Sequence, residues 1–228
     1  MKPRMLLFVS LAILFGTMTL TAQDAEPRPT PRDVIIIGKP KPLKERVENI
    51  DLSEYVRPHS LLGNTKYVNG ELFMSSKQKR FYYVLAATEE YITVGGKARV
   101  SLRNYQSAPS TLGYGIIFHS DPTPLQQGYA FLIDTVKKKY HVVHHVPGDE
   151  LTLVPWKVSP HIKIGKAKNT LEIRDKGDVT ELYINDNLVE TVANTFAFKN
   201  GVVGLYSGDA VTIAFSGFTV SINGRSKP

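Results

Sequence analysis

The stretch NTLEIRDKGDVTELYINDNLVETV, residues 169–192, decides the fold class. In its first half Leu171 and Ile173 point to one face of an extended chain, and Glu172 points to the other. This alternation is typical of a strand with one face in the core and one in water, and it recurs in the second half. Gly177 lies between the halves and tolerates the positive φ of a tight turn, so the stretch is predicted to form a β-hairpin.

Short runs with strand composition continue on both sides of this hairpin, from about residue 66 onward. They are rich in Val, Ile, Phe, Tyr and Thr and end at Gly, Pro, Asn or Asp, as in GYGIIFHS (113–120), GYAFLIDT (128–135) and GVVGLY (201–206). Beyond the N-terminal apolar run, no long window has a helical period. The sequence therefore predicts an all-β chain folded as a two-sheet antiparallel sandwich, or jelly roll.

The order of these runs, together with the single tryptophan in VPWKV (154–158) and the hairpin, resembles the concanavalin A-like lectin/glucanase superfamily. Within that superfamily the pattern is similar to the bacterial laminin G-like group that includes the 3-keto-disaccharide hydrolase domain. The resemblance covers about residues 66–221 and implies two curved antiparallel sheets, of which the concave one often carries the ligand in relatives. It leaves function open, because this architecture serves sugar binding, glycoside hydrolysis and protein docking alike.

The N-terminus has the pattern of a targeting signal. Lys2 and Arg4 precede an uncharged apolar run over residues 5–20, and small and polar residues follow. The run is short for a membrane-spanning helix, which needs about 20 residues. The pattern predicts a signal peptide over residues 1–22, with an uncleaved anchor as the alternative.

Residues 23–50 contain five prolines and are predicted to form an extended linker. A β-branched run within this segment, DVIIIG (33–38), is predicted to add a strand to the domain, with a docking or aggregation-prone segment as the alternative. Residues 51–228 are predicted to be the β-sandwich domain.

The absence of cysteine excludes disulfides, thiolate metal sites, cysteine nucleophiles and a lipid-modified N-terminal cysteine. The formal charge of +7 falls to +4 on residues 51–228 once the signal and the linker are set aside. That charge does not indicate a nucleic-acid binder. A signal peptide on a chain that contains no cysteine is typical of an exported bacterial protein, periplasmic or extracellular. Such a protein is not transmembrane after the signal is cleaved.

The carboxylates do not follow the pattern of the sandwich glucanases. Those enzymes place two acids on one strand at alternate positions, flanking the scissile bond. Here Glu89 and Glu90 are adjacent, so they point to opposite faces of a strand, and the adjacent Asp149 and Glu150 follow Pro147-Gly148 in a predicted turn. Asp134 is a lone acid in an apolar strand, where the favoured interpretation is a strand-end acid beside a lysine. This disfavours two-carboxylate hydrolysis, while a 3-keto-disaccharide hydrolase with unassigned catalytic residues stays open.

The stretch KKKYHVVHH, residues 137–145, raises the question of a metal site. Its lysines are predicted to lie at a hairpin turn and its histidines on one strand. His141 and His145 then share a face but lie about 13 Å apart by strand rise, too far to chelate one ion. No metal site is predicted. His144 shares the other face with Tyr140, and this pair is a candidate for a ligand groove.

Aromatic rings suit sugar binding, because they stack on the C–H faces of pyranose rings. Trp156 and Tyr129 are candidates for this role, but core packing is the favoured interpretation of each. His119 precedes a proline-containing loop at a sandwich end, where loops frequently bind ligands. No cofactor is predicted. Structural calcium through Asp121 is the alternative, but a lone acid is a weak signal because calcium takes 6–8 oxygen ligands. The candidate ligand-binding residues are His119, Tyr129, Asp134, Tyr140, His144 and Trp156.

The sequence predicts an exported β-sandwich module that binds a carbohydrate or another cell-envelope polymer. A glycoside hydrolase of the 3-keto-disaccharide type is the first alternative. A protein-interaction module, with the proline-rich linker as a tether, is the second.

Overall fold

Two antiparallel sheets make up the part of the chain that the computed structural model describes, which is residues 45–86, 95–121, 127–146, 149–198 and 201–223. The strands in chain order are β1 (Glu45–Asn49), β2 (Gly63–Val68), β3 (Glu71–Ser76), β4 (Tyr82–Ala86), β5 (Lys97–Asn104), β6 (Tyr114–Ser120), β7 (Gly128–Asp134), β8 (Lys139–Val146), β9 (Asp149–Val158), β10 (Asn169–Asp175), β11 (Val179–Ile184), β12 (Asn187–Ala193), β13 (Val202–Gly208) and β14 (Ile213–Asn223). One short 3-10 turn, Leu52–Tyr55, follows β1. The predicted all-β sandwich is confirmed.

The eight-stranded sheet has the order β12-β11-β10-β5-β14-β3-β2, with β1 also paired to β14. The six-stranded sheet has the order β4-β13-β6-β7-β8-β9. Each sheet contributes one face to a shared apolar core. The predicted hairpin is the β10–β11 pair, in which Leu171 lies opposite Ile184 and Gly177 has a φ of +87°.

The two outer faces of the sandwich differ in chemistry. On the eight-stranded sheet the outer face carries ion pairs such as Arg103 with Glu71 and Arg99 with Glu172. On the six-stranded sheet a second apolar cluster forms instead, made of Val84, Ile117, Ala130, Leu132, Val143 and Tyr206. Every residue of β6, β7 and β13 is consequently buried, so these strands show no alternation of apolar and polar residues.

The sandwich begins earlier in the chain than the sequence predicts. The linker predicted over residues 23–50 includes β1, and Val47 of that strand lies opposite Ser221 of β14. The ladder bonds of β14 are satisfied by this pairing, which proline density upstream does not reveal. The predicted signal over 1–22 and the DVIIIG run over 33–38 lie outside the described residues.

Candidate ligand-binding site

The six-stranded sheet is strongly curved. Four strand steps separate β4 from β8 and also β13 from β9, which would be about 19 Å across a flat sheet. The ring of Tyr82 on β4 nevertheless lies 6.1 Å from that of His145 on β8. The hydroxyl of Tyr206 on β13 donates to Glu150 Oε1 on β9 over 3.3 Å. Side chains from strands this far apart can meet only if the sheet curls and its outer face is concave.

A cleft of about 510 Å³ opens beside these contacts; we name it the outer cleft. It is lined by Leu62, Arg80, Phe81, Tyr82, Leu112, Asp149 and Glu150. Tyr82 lines one wall of the cleft, and the ring of the fully buried Tyr206 stacks behind it at 5.0 Å with the planes 23° apart. Phe81 is 61% exposed next to this wall, which gives the cleft an apolar surface open to solvent.

Glu150 is the acid with the most altered environment in this cleft. Burial raises its pKa, and the neighbouring charge of Asp149 acts in the same direction, while the hydrogen bond from Tyr206 lowers it. Burial, followed by the nearby Glu150 carboxylate, raises the pKa of Tyr206 well above its ordinary value, so this hydroxyl stays protonated and donates. Asp149 is exposed, and its Oδ1 accepts a hydrogen bond of 2.7 Å from the backbone N–H of Glu150.

His145 lies directly opposite Glu150 in the β8–β9 pair, so the two side chains share the concave face. The imidazole is fully buried, and neither ring nitrogen has a hydrogen-bond partner. Burial, with a smaller contribution from His144, lowers the pKa of His145 to about 4. The ring is therefore neutral at physiological pH and offers one donor and one acceptor that the protein leaves unused.

Asp209 holds two walls of the outer cleft together. Its Oδ1 accepts from the backbone N–H of Arg80 at 2.9 Å. Its Oδ2 accepts from Ser110 Oγ at 2.9 Å, from both the N–H and the hydroxyl of Thr111, and from the N–H of Leu112 at 2.8 Å. Burial raises the pKa of Asp209, but these hydrogen bonds together outweigh burial and lower it. The carboxylate thus fixes the positions of Arg80 and Leu112, which both line the cleft.

The other end of the concave face carries the only tryptophan. The ring of Trp156 stacks on His141 at 3.7 Å with the planes 13° apart. The Nε2 of His141 donates to the carbonyl oxygen of Leu112 at 3.0 Å, and burial lowers the pKa of this histidine to about 4. Trp156 is half-buried, so it is neither a sealed core residue nor a free platform.

Three candidates predicted from the sequence lie between the two sheets rather than on the concave face. His119, Tyr129 and His144 form an aromatic cluster with Phe196 and Phe198, in which His144 stacks on Phe196 at 3.9 Å. A bulge between β13 and β6, together with a φ of +48° at His119, turns this histidine inward. Its Nε2 lies 3.5 Å from Asp175 Oδ2 on the opposite sheet.

Two further candidates are held by the protein itself. Asp134 is buried at the end of β7, where its Oδ1 accepts from the N–H of Val136, and Lys137 Nζ lies 4.0 Å from its Oδ2. This is the strand-end acid beside a lysine that the sequence favours. Tyr140 faces the core, donates to the carbonyl oxygen of Val189, and has its pKa raised to about 12 by burial and then by Glu190. Of the candidates from the sequence, Trp156 and Asp134 lie on the concave side, where both line one small cavity.

Sequence reasoning missed Tyr82, Tyr206, His145 and Glu150. The Pro-Gly pair before Glu150 predicts a turn, but the structure places Glu150 in β9. Its contact with Tyr206 is non-local and depends on the curvature of the sheet. The alternation of β8 did place His141 and His145 on one face, apart from His144 and Tyr140. Strand alternation could have indicated Tyr82 and Tyr206. Their neighbours Tyr83 and Leu205 belong to the core, so these two tyrosines must point to the opposite face of the sheet.

Within the described ranges, no group of three or more His, Cys, Asp or Glu side chains is placed to hold a metal ion. Among the helices of those same ranges, none has the length and apolar character needed to cross a bilayer.

No protein-family model matches this chain, and no curated protein matches it. Solved structures do match it. A protein of unknown function with a galectin-like fold from Bacillus subtilis aligns with a TM-score of 0.55 at 10% identity, covering 79% of this chain and 94% of that one. The carbohydrate recognition domain of Emp46p, in a potassium-bound form, aligns with a TM-score of 0.52 at 11% identity over 78% and 94% of the two chains.

A protein described as a native glycosidic hydrolase aligns with a TM-score of 0.51 at 10% identity, covering 81% of this chain and 98% of that one. Identities this low carry information about the fold alone. The chain has the galectin-like jelly-roll fold that the resemblance to the concanavalin A-like superfamily implies.

Proposed function

We propose that the protein binds a carbohydrate in the outer cleft. The observation that carries this proposal is the ring of Tyr82, backed by the buried Tyr206, beside the exposed ring of Phe81, in a concave cleft with polar groups along its other wall. Ligand sites are typically concave, largely apolar or aromatic, and furnished with a few convergent polar groups. The cleft has this composition.

The polar groups match what a sugar requires. Pyranose hydroxyls both donate and accept hydrogen bonds, and their C–H faces pack on aromatic rings. Glu150 and Asp149 supply acceptors, and the exposed guanidinium of Arg80 supplies donors in a planar fork. His145 is fully buried behind Tyr82 and does not line the cleft.

The fold is a precedent for this use, since one solved structure of similar fold is a carbohydrate recognition domain and another is a glycosidic hydrolase. We also propose that the ligand is a cell-envelope or extracellular polymer and that the protein is exported. The charged start and apolar run of residues 1–20 support export.

Hydrolysis of a glycosidic bond, of the 3-keto-disaccharide type or another, is the second candidate. It is favoured by Glu150, because burial raises the pKa of this carboxyl as a general acid requires. The usual mechanism also needs a second carboxylate about 5–10 Å away across the bond. The other acid of the cleft is Asp149, and one of its oxygens already accepts a hydrogen bond from the N–H of Glu150. Binding without turnover therefore fits the described residues better.

A glycan array probed with the mature domain tests the proposal, read together with product analysis on every hit. We expect binding to a subset of glycans, with no release of reducing sugar. Tyr82→Ala removes half of the stacked pair and is expected to weaken binding by tenfold or more, since burying an aromatic face contributes about 1.5–3 kcal/mol.

The matched control is Tyr67→Ala, which removes a tyrosine that is 38% exposed on β2 of the other sheet. It should leave the array pattern unchanged. Equal loss in both variants, or no binding to any glycan, would overturn the carbohydrate proposal. Release of sugar that stops in Glu150→Gln would replace it with the hydrolase.

A further inference from the structure

A second cavity of about 270 Å³ lies on the other side of the Ser110–Leu112 loop from the outer cleft; we name it the Trp156 pocket. It is lined by Ser110, Thr111, Asp134, Lys137, Lys139 and Trp156. Its volume is slightly below the usual range of ligand pockets, about 300–1,000 Å³, so it suits one small unit rather than a chain.

The pocket contains an unused buried acceptor. Asp134 is 1% exposed, and its Oδ1 accepts from the N–H groups of Val136 and Lys137 at 2.9 and 3.4 Å. Its Oδ2 has no hydrogen-bond partner, and the ammonium of Lys137 stops 4.0 Å away. A buried acceptor without a donor is costly, so a ligand hydroxyl that donates to this oxygen would gain more than one meeting an exposed carboxylate.

The remaining walls add an aromatic plane and net positive charge. His141 stacks on Trp156 and fixes the orientation of the indole ring. Lys137 and Lys139 outnumber the one carboxylate, while the hydroxyls of Ser110 and Thr111 are already committed to Asp209. Lys137 is half-exposed and therefore free to turn from Asp134 toward an anion in the pocket.

The two sites are adjacent. Leu112 lines the outer cleft, and the two residues before it line the Trp156 pocket. The carbonyl oxygen of Leu112 accepts a hydrogen bond from His141, and the ring of His141 stacks on Trp156. One oligosaccharide that crosses this loop would occupy both.

We infer that the glycan bound by this protein is acidic, and that the Trp156 pocket receives a uronic acid residue of that glycan. The carboxylate of the sugar lies between Lys137 and Lys139, one hydroxyl donates to Asp134 Oδ2, and the ring lies against Trp156. This inference rests on the proposed carbohydrate function of the outer cleft and adds the class of sugar.

Binding of matched acidic and neutral oligosaccharides tests the inference. The probes are tetramers of galacturonate, mannuronate and glucuronate, each paired with its fully methyl-esterified form, titrated calorimetrically into the full mature domain. We expect at least one acid to bind tenfold or more tighter than its ester. Lys137→Gln/Lys139→Gln should reduce that ratio to near one while leaving the affinity for the ester unchanged.

The control is Lys66→Gln/Lys163→Gln, which removes two exposed lysines elsewhere and the same total charge. It should keep the preference for the acid. Equal affinity of acid and ester for the unmodified protein, or an equal loss in the control, overturns the acidic-sugar inference while ester binding still supports the outer cleft. Binding of neither form, combined with a blank array, overturns the proposed function as well.

Discussion

Asp209→Asn is expected to lower the free energy of unfolding by about 3 kcal/mol and to abolish glycan binding. The carboxylate accepts hydrogen bonds from Arg80, Ser110, Thr111 and Leu112. Hydrogen bonds to a charged group contribute about 1.5–3 kcal/mol each. An amide keeps the shape of the side chain but offers a single oxygen, and its NH₂ group faces donors that have no acceptor left.

Urea unfolding at pH 7.5 and calorimetric titration measure these two effects. Asp178→Asn is the matched control, because Asp178 is exposed in the β10–β11 turn and surface changes usually stay within 0.5 kcal/mol. If Asp209→Asn unfolds at the same urea concentration as the unmodified protein, Asp209 does not hold the walls of the cleft.

Acid is expected to destabilise the protein well before its exposed carboxylates are protonated. The pKa values of His141 and His145 are both lowered to about 4, mainly by burial, from an ordinary value of 6.5. These rings are neutral in the folded chain and gain protons on unfolding below pH 6.5. The unfolded state then binds more protons, so stability is full above pH 6.5 and falls as pH decreases toward 4.

Each histidine contributes roughly 3 kcal/mol to this loss, because one pKa unit corresponds to about 1.4 kcal/mol. Burial also lowers the pKa of His119 and His144, which act in the same direction. Glu150 faces His145 and acts in the opposite direction, since its raised pKa favours folding at lower pH. Against a typical total of 5–15 kcal/mol, the net loss is large.

Urea unfolding at pH 7.5, 6.0, 5.0 and 4.5 measures this dependence. His145→Leu replaces the titrating imidazole with an apolar side chain of similar size. The variant should therefore lose markedly less stability between pH 6.5 and 4.5 than the unmodified protein. The exposed His161→Leu is the control and should follow the unmodified curve. An unchanged pH dependence in His145→Leu would show that this ring is not the cause.

The fold could be predicted from the sequence wherever one face of a strand meets water. The β10–β11 hairpin could be predicted because Leu171 and Ile173 alternate with Glu172, and period-2 alternation is a local signal. In β8 the same rule separated His141 from His144. For β6 and β7, which are buried on both faces, composition and turn residues identified strands but not the inward face.

The site could not be predicted because it depends on the curvature of the six-stranded sheet, and the inward position of His119 depends on a bulge. Tyr206 and Glu150 are 56 residues apart and meet only when the six-stranded sheet curls. His119 would face outward by alternation, but a positive φ at a register shift turns it into the core. Neither feature leaves a local pattern in the sequence.

Histidine ring signals give the most direct test that the ligand binds on the concave face. The protein has six histidines, of which His145 lies beside Tyr82 and His119 and His144 lie between the sheets. With rings labelled with ¹³C and ¹⁵N and assigned by single substitutions, titration with the best oligosaccharide from the array should shift His145 and leave His119 and His144 unchanged. Shifts at the exposed His59 or His161 with His145 unmoved would contradict the account and place the ligand on another surface.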